Sequence, residues 1–209
     1  MQSLKQQNIF FKGILAGLLE IKPDMMYSFF IYPYHQRTGE MPMDKSNTLN
    51  ILKSAFLMER QGKALYETAK AHADNKEVKE FFQSLVEDEQ EHMDLLEKQF
   101  KSYMKSGQFV AGNYENDASA VTAPDILSDA VKKNINLAGF ESTAITAAIG
   151  FEEKAVTLYA KRGQEATDPE EKKLYNWLSV WEKTHLKKLM DIQESLMARV
   201  WEDNSFWPF

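Results

Sequence analysis

Two short segments of the sequence each place a glutamate and a histidine three residues apart. EDEQEH contains Glu89 and His92, and EKTH contains Glu182 and His185. At this spacing both side chains lie on one face of an α-helix. Carboxylate and imidazole together suit iron, manganese or zinc. One such pair is common by chance on a helix surface, so the surrounding pattern decides its meaning.

The second half of the chain repeats the first at an offset of 93 residues. Most positions differ between the two copies, but a stripe of charged, aromatic and apolar residues is retained. The matching pairs are Glu59 and Glu152, Tyr66 and Tyr159, Leu85 and Leu178, Glu89 and Glu182, His92 and His185, and Leu96 and Leu189. Each half therefore contributes the same three candidate ligands.

The glutamates also have a common register relative to the predicted turns. Glu59 and Glu89 lie at equal distances from a DN turn, and Glu152 and Glu182 lie at equal distances from a TD turn. Two helices that leave one tight turn rise equally, at about 1.5 Å per residue. The two carboxylates of each helix pair are therefore predicted to face each other.

The elements that must position these residues are predicted to be helices throughout. Asn75 and Asp168 are predicted N-caps, and Pro169 suits a first helical position. The predicted helices span about residues 46–73, 76–104, 126–134, 137–166 and 169–200. The fold class is therefore all-α, a four-helix bundle of two helix hairpins joined by a long crossover.

The glutamates and histidines lie in the apolar stripes of the four long helices. On the second helix, for example, Phe82, Leu85, Glu89, His92 and Leu96 alternate in steps of three and four. The stripe predicts that these polar side chains point into the core. Four buried carboxylates repel one another, and two divalent cations would balance them. The predicted metal ligands are Glu59, Glu89, His92, Glu152, Glu182 and His185.

This pattern resembles the rubrerythrin and ferritin-like superfamily of diiron-carboxylate proteins over about residues 45–200. LMERQGKALYETAK and EVKEFFQSLVEDEQEHMDLL are similar to the rubrerythrin-related branch that lacks a rubredoxin domain. The resemblance implies a ferritin-like bundle holding two iron ions, with manganese or a mixed pair also compatible. It implies that Glu89 and Glu182 bridge the metals and that Glu59 and Glu152 are terminal ligands. Tyr66 and Tyr159 would hydrogen-bond ligand carboxylates.

The chain departs from the rubrerythrin pattern at several points. Rubrerythrins carry a further carboxylate three residues after the third-helix glutamate, where this chain has Ala155. Glu153 points about 100° away around the helix. Both halves have Glu-x-x-His, whereas the last helix of rubrerythrins commonly has Glu-x-x-x-His. The ligand set is therefore closer to a plainer ferritin-type centre, which weakens an analogy to peroxidases.

The function that these residues imply is an oxidoreductase reacting with O2 or hydrogen peroxide. The sequence has no cysteine, so it cannot hold a cysteine-ligated rubredoxin-type carrier, and we expect an external electron donor. One alternative is a ferroxidase or another iron-handling, ferritin-like protein. Another is a structural or binding scaffold that the metals stabilise.

The remaining composition limits the partners and the compartment. The net charge of −6 and the absence of a dominant Lys/Arg run argue against nucleic acid. Three regions are predicted along the chain. Residues 1–44 are an apolar, aromatic N-terminal extension interrupted by charges, residues 45–200 are the bundle, and residues 201–209 are an aromatic tail. We expect both ends to pack on the bundle or across a homodimer, without membrane association. With no signal-peptide pattern, we expect a cytoplasmic protein.

Overall fold

The computed structural model describes residues 43–112, 114, 125–137 and 139–204. These residues form helices without any strand, which confirms the all-α prediction. The helices are α1 (Met43–His72), α2 (Lys76–Ser106), α3 (Asp125–Asn134), α4 (Phe140–Glu165) and α5 (Pro169–Asn204). Four of them are long, and α3 is the short helix predicted in the crossover.

Two capped turns make the helix hairpins. The Asn75 side chain accepts hydrogen bonds from the backbone N–H groups of Glu77 and Val78, so it caps α2. The Asp168 carboxylate accepts from the N–H groups of Glu170 and Glu171 in the same way at the start of α5. Such side chains satisfy N–H groups that the first helical turn leaves unpaired. Both predicted caps are therefore present.

The two hairpins lie side by side with their turns at opposite ends. α1 packs on α2, α4 packs on α5, and α1 also packs along α4. The ring of His72, at the end of α1, stacks on Phe140 at the start of α4, with centroids 4.6 Å apart. At the other end, Arg162 Nη2 of α4 lies 3.4 Å from Thr48 Oγ1 of α1. α1 and α4 are therefore antiparallel, as the long crossover requires.

The crossover is attached to the bundle where it begins. Gly107 ends α2 in the left-handed conformation, at φ 70°, and its N–H bonds to the carbonyl of Tyr103. The buried Gln99 amide then donates to the Val110 carbonyl and accepts from the Val110 N–H, both at 2.9 Å. These two bonds hold the departing chain against α2.

The later part of the crossover carries α3, which packs on α2 and α5. Arg199 Nη1 of α5 donates to the carbonyls of Lys132 and Ile135, at the end of α3. The predicted third long helix begins at Phe140 rather than at Leu137. The reason is a turn before it, in which the Gly139 N–H bonds to the Asn136 carbonyl.

The apolar stripes of the helices meet in one core. Its members include Leu85 and Phe82 of α2, Ile145 of α4 and Ile192 of α5, each 1% exposed or less. None of the described helices carries an apolar stretch long enough to cross a bilayer. The predicted extension lies outside the described residues, except where α1 begins at Met43, and so does the tail beyond Asn204.

Candidate metal centre

Six acidic and imidazole side chains from four helices meet inside the bundle. α1 contributes one glutamate, α4 contributes one, and α2 and α5 each contribute a glutamate and a histidine. Each of the six is 3% exposed or less. They are the residues singled out in the sequence: Glu59, Glu89, His92, Glu152, Glu182 and His185.

The six residues form two overlapping groups in which one ligand atom from each member lies within 4.8 Å of the others. Glu89 and Glu182 belong to both groups. The first group is completed by Glu59 and His92, and the second by Glu152 and His185. Such overlap is what two neighbouring cations with two shared carboxylates require. Either group could hold a metal ion.

Both imidazoles direct the same nitrogen at the carboxylates. His92 Nδ1 lies 2.9 Å from Glu182 Oε1 and 3.6 Å from Glu59 Oε2. His185 Nδ1 lies 3.2 Å from the other oxygen of Glu182, Oε2. Glu182 therefore stands between the two rings, with one oxygen toward each.

Two tyrosines tie the hairpins together at the cluster. The Tyr66 hydroxyl of α1 donates to Glu152 Oε1 of α4, and the Tyr159 hydroxyl of α4 donates to Glu59 Oε1 of α1. Both tyrosines are fully buried. Each tyrosine orients a carboxylate of the opposite hairpin, because its hydrogen bond crosses between α1 and α4.

Small residues make room around the shared carboxylates. A Cβ atom at Gly62 would lie 3.2 Å from Glu89 Oε1, closer than usual contact. Ala155, the repeat partner of Gly62, is also buried. Glu153 is exposed, so it lies away from the cluster as the helical period predicts. The interior carboxylate set among the described helices therefore excludes Glu153.

Burial and mutual repulsion raise the pKa values of two carboxyl groups, whereas the histidines lower the pKa of a third. Burial raises the pKa of Glu89 well above its ordinary value, and Glu59 raises it further. Burial and the Glu182 charge likewise raise the pKa of Glu152. Burial would also raise the pKa of Glu182, but the imidazoles of His92 and His185 together outweigh it and hold that pKa well below its ordinary value.

The histidines and a tyrosine hold their protons more strongly than usual. Burial lowers the pKa of His92, but the carboxylates of Glu182 and Glu59 together outweigh it, and the pKa lies well above its ordinary value. For His185, a hydrogen bond to Asp88 and the carboxylates outweigh burial and raise the pKa to about 10. Burial and the Glu152 charge raise the pKa of Tyr66. Protons therefore partly neutralise the cluster without a metal.

The unsatisfied atoms of the cluster match the needs of a cation. Among the described residues, Glu89 Oε2 and His92 Nε2 are buried without a hydrogen-bond partner, and His92 Nδ1 and Glu182 Oε1 lie 2.9 Å apart without hydrogen-bond geometry. Buried polar atoms normally have a partner, and bound ions are one recognised explanation for exceptions. Hard carboxylate oxygens with imidazole nitrogens suit iron, manganese or zinc. The residues present therefore fit a pair of divalent cations.

The structure adds three residues that sequence reasoning missed. Asp88 Oδ2 accepts a hydrogen bond from His185 Nε2 at 3.0 Å. The indoles of Trp177 and Trp181 stand edge-on to His92, with ring centroids 5.7 and 5.5 Å away. Asp88 and Trp181 occupy equivalent positions in the two halves. A mismatch of the 93-residue repeat therefore marks this difference in the sequence.

Comparison with protein-family models relates the chain to one family. A model of the rubrerythrin family matches residues 50–193. Among solved structures, a two-domain protein from Anabaena variabilis with DJ-1/ThiJ/PfpI-like and ferritin-like domains is similar at 16% identity and a TM-score of 0.45. The alignment covers 86% of this chain and 46% of that one, so this chain spans less than half of that protein. No curated protein matches the chain.

Proposed function

The chain belongs to the rubrerythrin family, and on this premise we propose that it is a non-haem dinuclear metal protein, with iron as the metal. We propose that it acts as an oxidoreductase on O2 or hydrogen peroxide. The observation that carries the proposal is the pair of overlapping buried groups that share Glu89 and Glu182.

In the proposed centre, Glu89 and Glu182 would be ligands of both cations, and one glutamate and one histidine would complete each position. Four ionised carboxylates with two neutral imidazoles carry a charge that two divalent cations balance. The support is the donor set itself, in which Glu89 Oε2 is buried without a hydrogen-bond partner among the described residues. The completing residues are Glu59 with His92, and Glu152 with His185.

When bound, a pair of iron ions supplies one-electron redox chemistry toward O2 or hydrogen peroxide. The protein's part is to orient the donors and exclude water. Tyr66 and Tyr159 hold carboxylates by hydrogen bonds across the hairpins. The hydroxyl proton of Tyr66 lies in the hydrogen bond to Glu152. Trp177 and Trp181 cover the side of His92.

We propose that a separate protein or small-molecule donor supplies the electrons. The sequence contains no cysteine, so no thiolate-held iron carrier lies within these 209 residues. A homodimer in the cytoplasm remains part of the proposal. Size-exclusion chromatography with light scattering would measure the oligomeric state directly, and a single 24.1 kDa species would refute the dimer.

The test of the proposed chemistry is oxidation of metal-loaded protein. Metal-free protein is loaded anaerobically with two equivalents of Fe(II) and mixed with O2 or hydrogen peroxide in a stopped-flow instrument. We expect the near-ultraviolet absorbance to rise faster than for free Fe(II) in the same buffer. Glu182→Ala should abolish this change, because Glu182 contacts both histidines.

Glu153→Ala is the matched control, since Glu153 is an exposed glutamate next to a candidate ligand. It should oxidise iron at the wild-type rate. Full iron occupancy with no reaction toward either oxidant would refute the oxidoreductase. If Glu182→Ala then lowered only the melting temperature of the metal-loaded protein, the metal-stabilised scaffold would be the better explanation.

A second candidate function is iron handling as a ferroxidase. The observation that favours it is the alanine at position 155, which leaves the interior set at six donors, as in a plainer ferritin-type centre. The two functions differ in what happens to the iron. A ferroxidase releases ferric product and accepts new Fe(II), whereas an oxidoreductase retains its iron through repeated turnovers with an added reductant. Iron analysis of the desalted protein after turnover distinguishes them.

A further inference from the structure

The two halves of the candidate metal centre have the same types of ligand residue, but different residues contact the two histidines on the side away from the glutamates. His185 Nε2 donates to Asp88 Oδ2 at 3.0 Å, and Asp88 reaches it from α2, the helix of the other hairpin. His92 Nε2 has no hydrogen-bond partner among the described residues. The position equivalent to Asp88 in the second half is Trp181, whose indole stands edge-on to His92. The repeat is therefore broken at the atoms that support the imidazoles.

The tyrosines show that this difference is local. Tyr66 and Tyr159 keep equivalent roles, since each donates to a glutamate of the opposite hairpin. Asp88 is 17% exposed, whereas Trp181 is 3% exposed. The Nε2 side of His185 therefore contacts a partly exposed carboxylate, whereas the ring of His92 contacts a buried indole.

A carboxylate behind a histidine affects what the histidine can bind. It fixes the tautomer in which Nε2 carries the proton and Nδ1 keeps its lone pair, holds the ring in place and makes Nδ1 a stronger donor. His185 has this support. If His92 binds through Nδ1, its Nε2–H group is buried beside Trp177 and Trp181 without an oxygen acceptor, which is unfavourable.

We propose that Asp88 makes the two cation positions inequivalent, and that this inference rests on the proposed dinuclear centre. The position formed with Glu152 and His185 fills first and holds its ion more tightly. The position formed with Glu59 and His92 is the exchangeable one. Asp88 acts as a positioning residue, because it reaches the metal only through His185.

The location of the first ion is the decisive measurement. Glu89 and Glu182 are shared, so a second ion binds more weakly than the first even in a symmetric centre, and binding constants alone do not locate it. The experiment therefore crystallises metal-free protein with one equivalent of Mn(II) and records anomalous scattering from manganese. We expect the stronger anomalous peak beside His185 and Glu152. Equal peaks, or a stronger peak beside His92, would overturn the inference while leaving the dinuclear centre intact.

A variant tests whether Asp88 is the cause. Asp88→Asn removes the charge, and Asp94→Asn removes the same charge from an exposed position on the same helix. Mn(II) binding is followed by the electron paramagnetic resonance signal of the free ion. We expect Asp88→Asn to weaken the first binding event by about 10- to 100-fold, the usual effect of losing a histidine's supporting carboxylate. Asp94→Asn should bind as the wild type does.

The outcomes separate the two proposals. Unchanged binding in a folded Asp88→Asn protein would overturn the role of Asp88. If Asp88→Asn does not fold, the anomalous data on the wild type still decide which position fills first. A wild-type protein that binds neither Mn(II), Co(II) nor Fe(II) would refute the dinuclear centre, and the inequivalence with it.

Discussion

The metal-free protein is expected to become less stable as the pH rises from 6.5 toward 10. His185 has a pKa of about 10 in the fold, against an ordinary value of 6.5. A group whose pKa is raised by folding stabilises the fold fully below the unfolded pKa, and this stability is lost as the pH rises through the folded pKa. The pKa values of His92, Glu89 and Glu152 are also raised, so these groups act in the same direction.

The magnitude follows from the linkage relation. Between the unfolded and folded pKa values, one such group changes the free energy of unfolding by about 1.4 kcal/mol per pH unit. For a chain of this size, this corresponds to roughly 3–6 °C in melting temperature per pH unit. Glu182 has a lowered pKa, so its contribution is present above its ordinary value of 4.5 and falls only in more acidic solution. It does not oppose the trend above pH 6.5.

The assay is thermal or urea unfolding at pH 6.5, 7.5 and 8.5, with chelator and with excess Mn(II). With metal the trend should reverse, because the donors bind cations only when deprotonated and binding releases protons. The stabilisation by metal should therefore grow with pH. His185→Gln should reduce the pH dependence of the metal-free protein, and His72→Gln, which removes an exposed imidazole outside the cluster, is the matched control. A metal-free wild type whose stability rises over this range would refute the reasoning.

Three further substitutions test individual contacts. Tyr66→Phe should lower the free energy of unfolding by about 1–3 kcal/mol in urea titrations, because a buried carboxylate loses its hydrogen-bond donor. Tyr175→Phe is the control, since the Tyr175 hydroxyl has no partner among the described residues. A similar loss of stability in Tyr175→Phe would argue against this explanation. Gly62→Ala should weaken Mn(II) binding in calorimetric titrations, because the added methyl group would crowd the Glu89 carboxylate. Gly150 has open space around it, so Gly150→Ala should leave Mn(II) binding unchanged and stabilise the helix by about 0.5–1 kcal/mol. Equal metal affinities in the two glycine variants would contradict the crowding argument. Asp168→Ala should cost about 1 kcal/mol in the same urea titrations through loss of an N-cap, and an unchanged midpoint would show that the cap is dispensable.

Much of the fold was accessible from the sequence, because helices and hairpins depend on local patterns. The apolar stripes follow the helical period, and the residues placed in them, such as Phe82, Leu85 and Leu96, are 1% exposed or less. The caps Asn75 and Asp168 act within three residues of themselves, so their side chains could be assigned without knowing the rest of the fold. The family was predicted from the repeated glutamates and histidines and from two sequence segments around them, and the family model confirms it.

The convergence of the six candidate ligands could also be foreseen, because equal distances from a tight turn place residues at equal heights on paired helices. The identity of the metal, the number of bound ions and the reactivity of the centre remain predictions. The positions of the ligand side chains do not specify them. The same holds for the homodimer and the electron donor.

Contacts between the hairpins, in contrast, required the assembled bundle. Which glutamate each tyrosine meets depends on the pairing of α1 with α4, and the support of His185 by Asp88 depends on the approach of α2 to α5. These atoms are 86 and 97 residues apart in the chain, and no helical period or turn relates them. Local periodicity specifies which face of a helix is buried, but the packing of one hairpin on the other specifies which side chain it meets there.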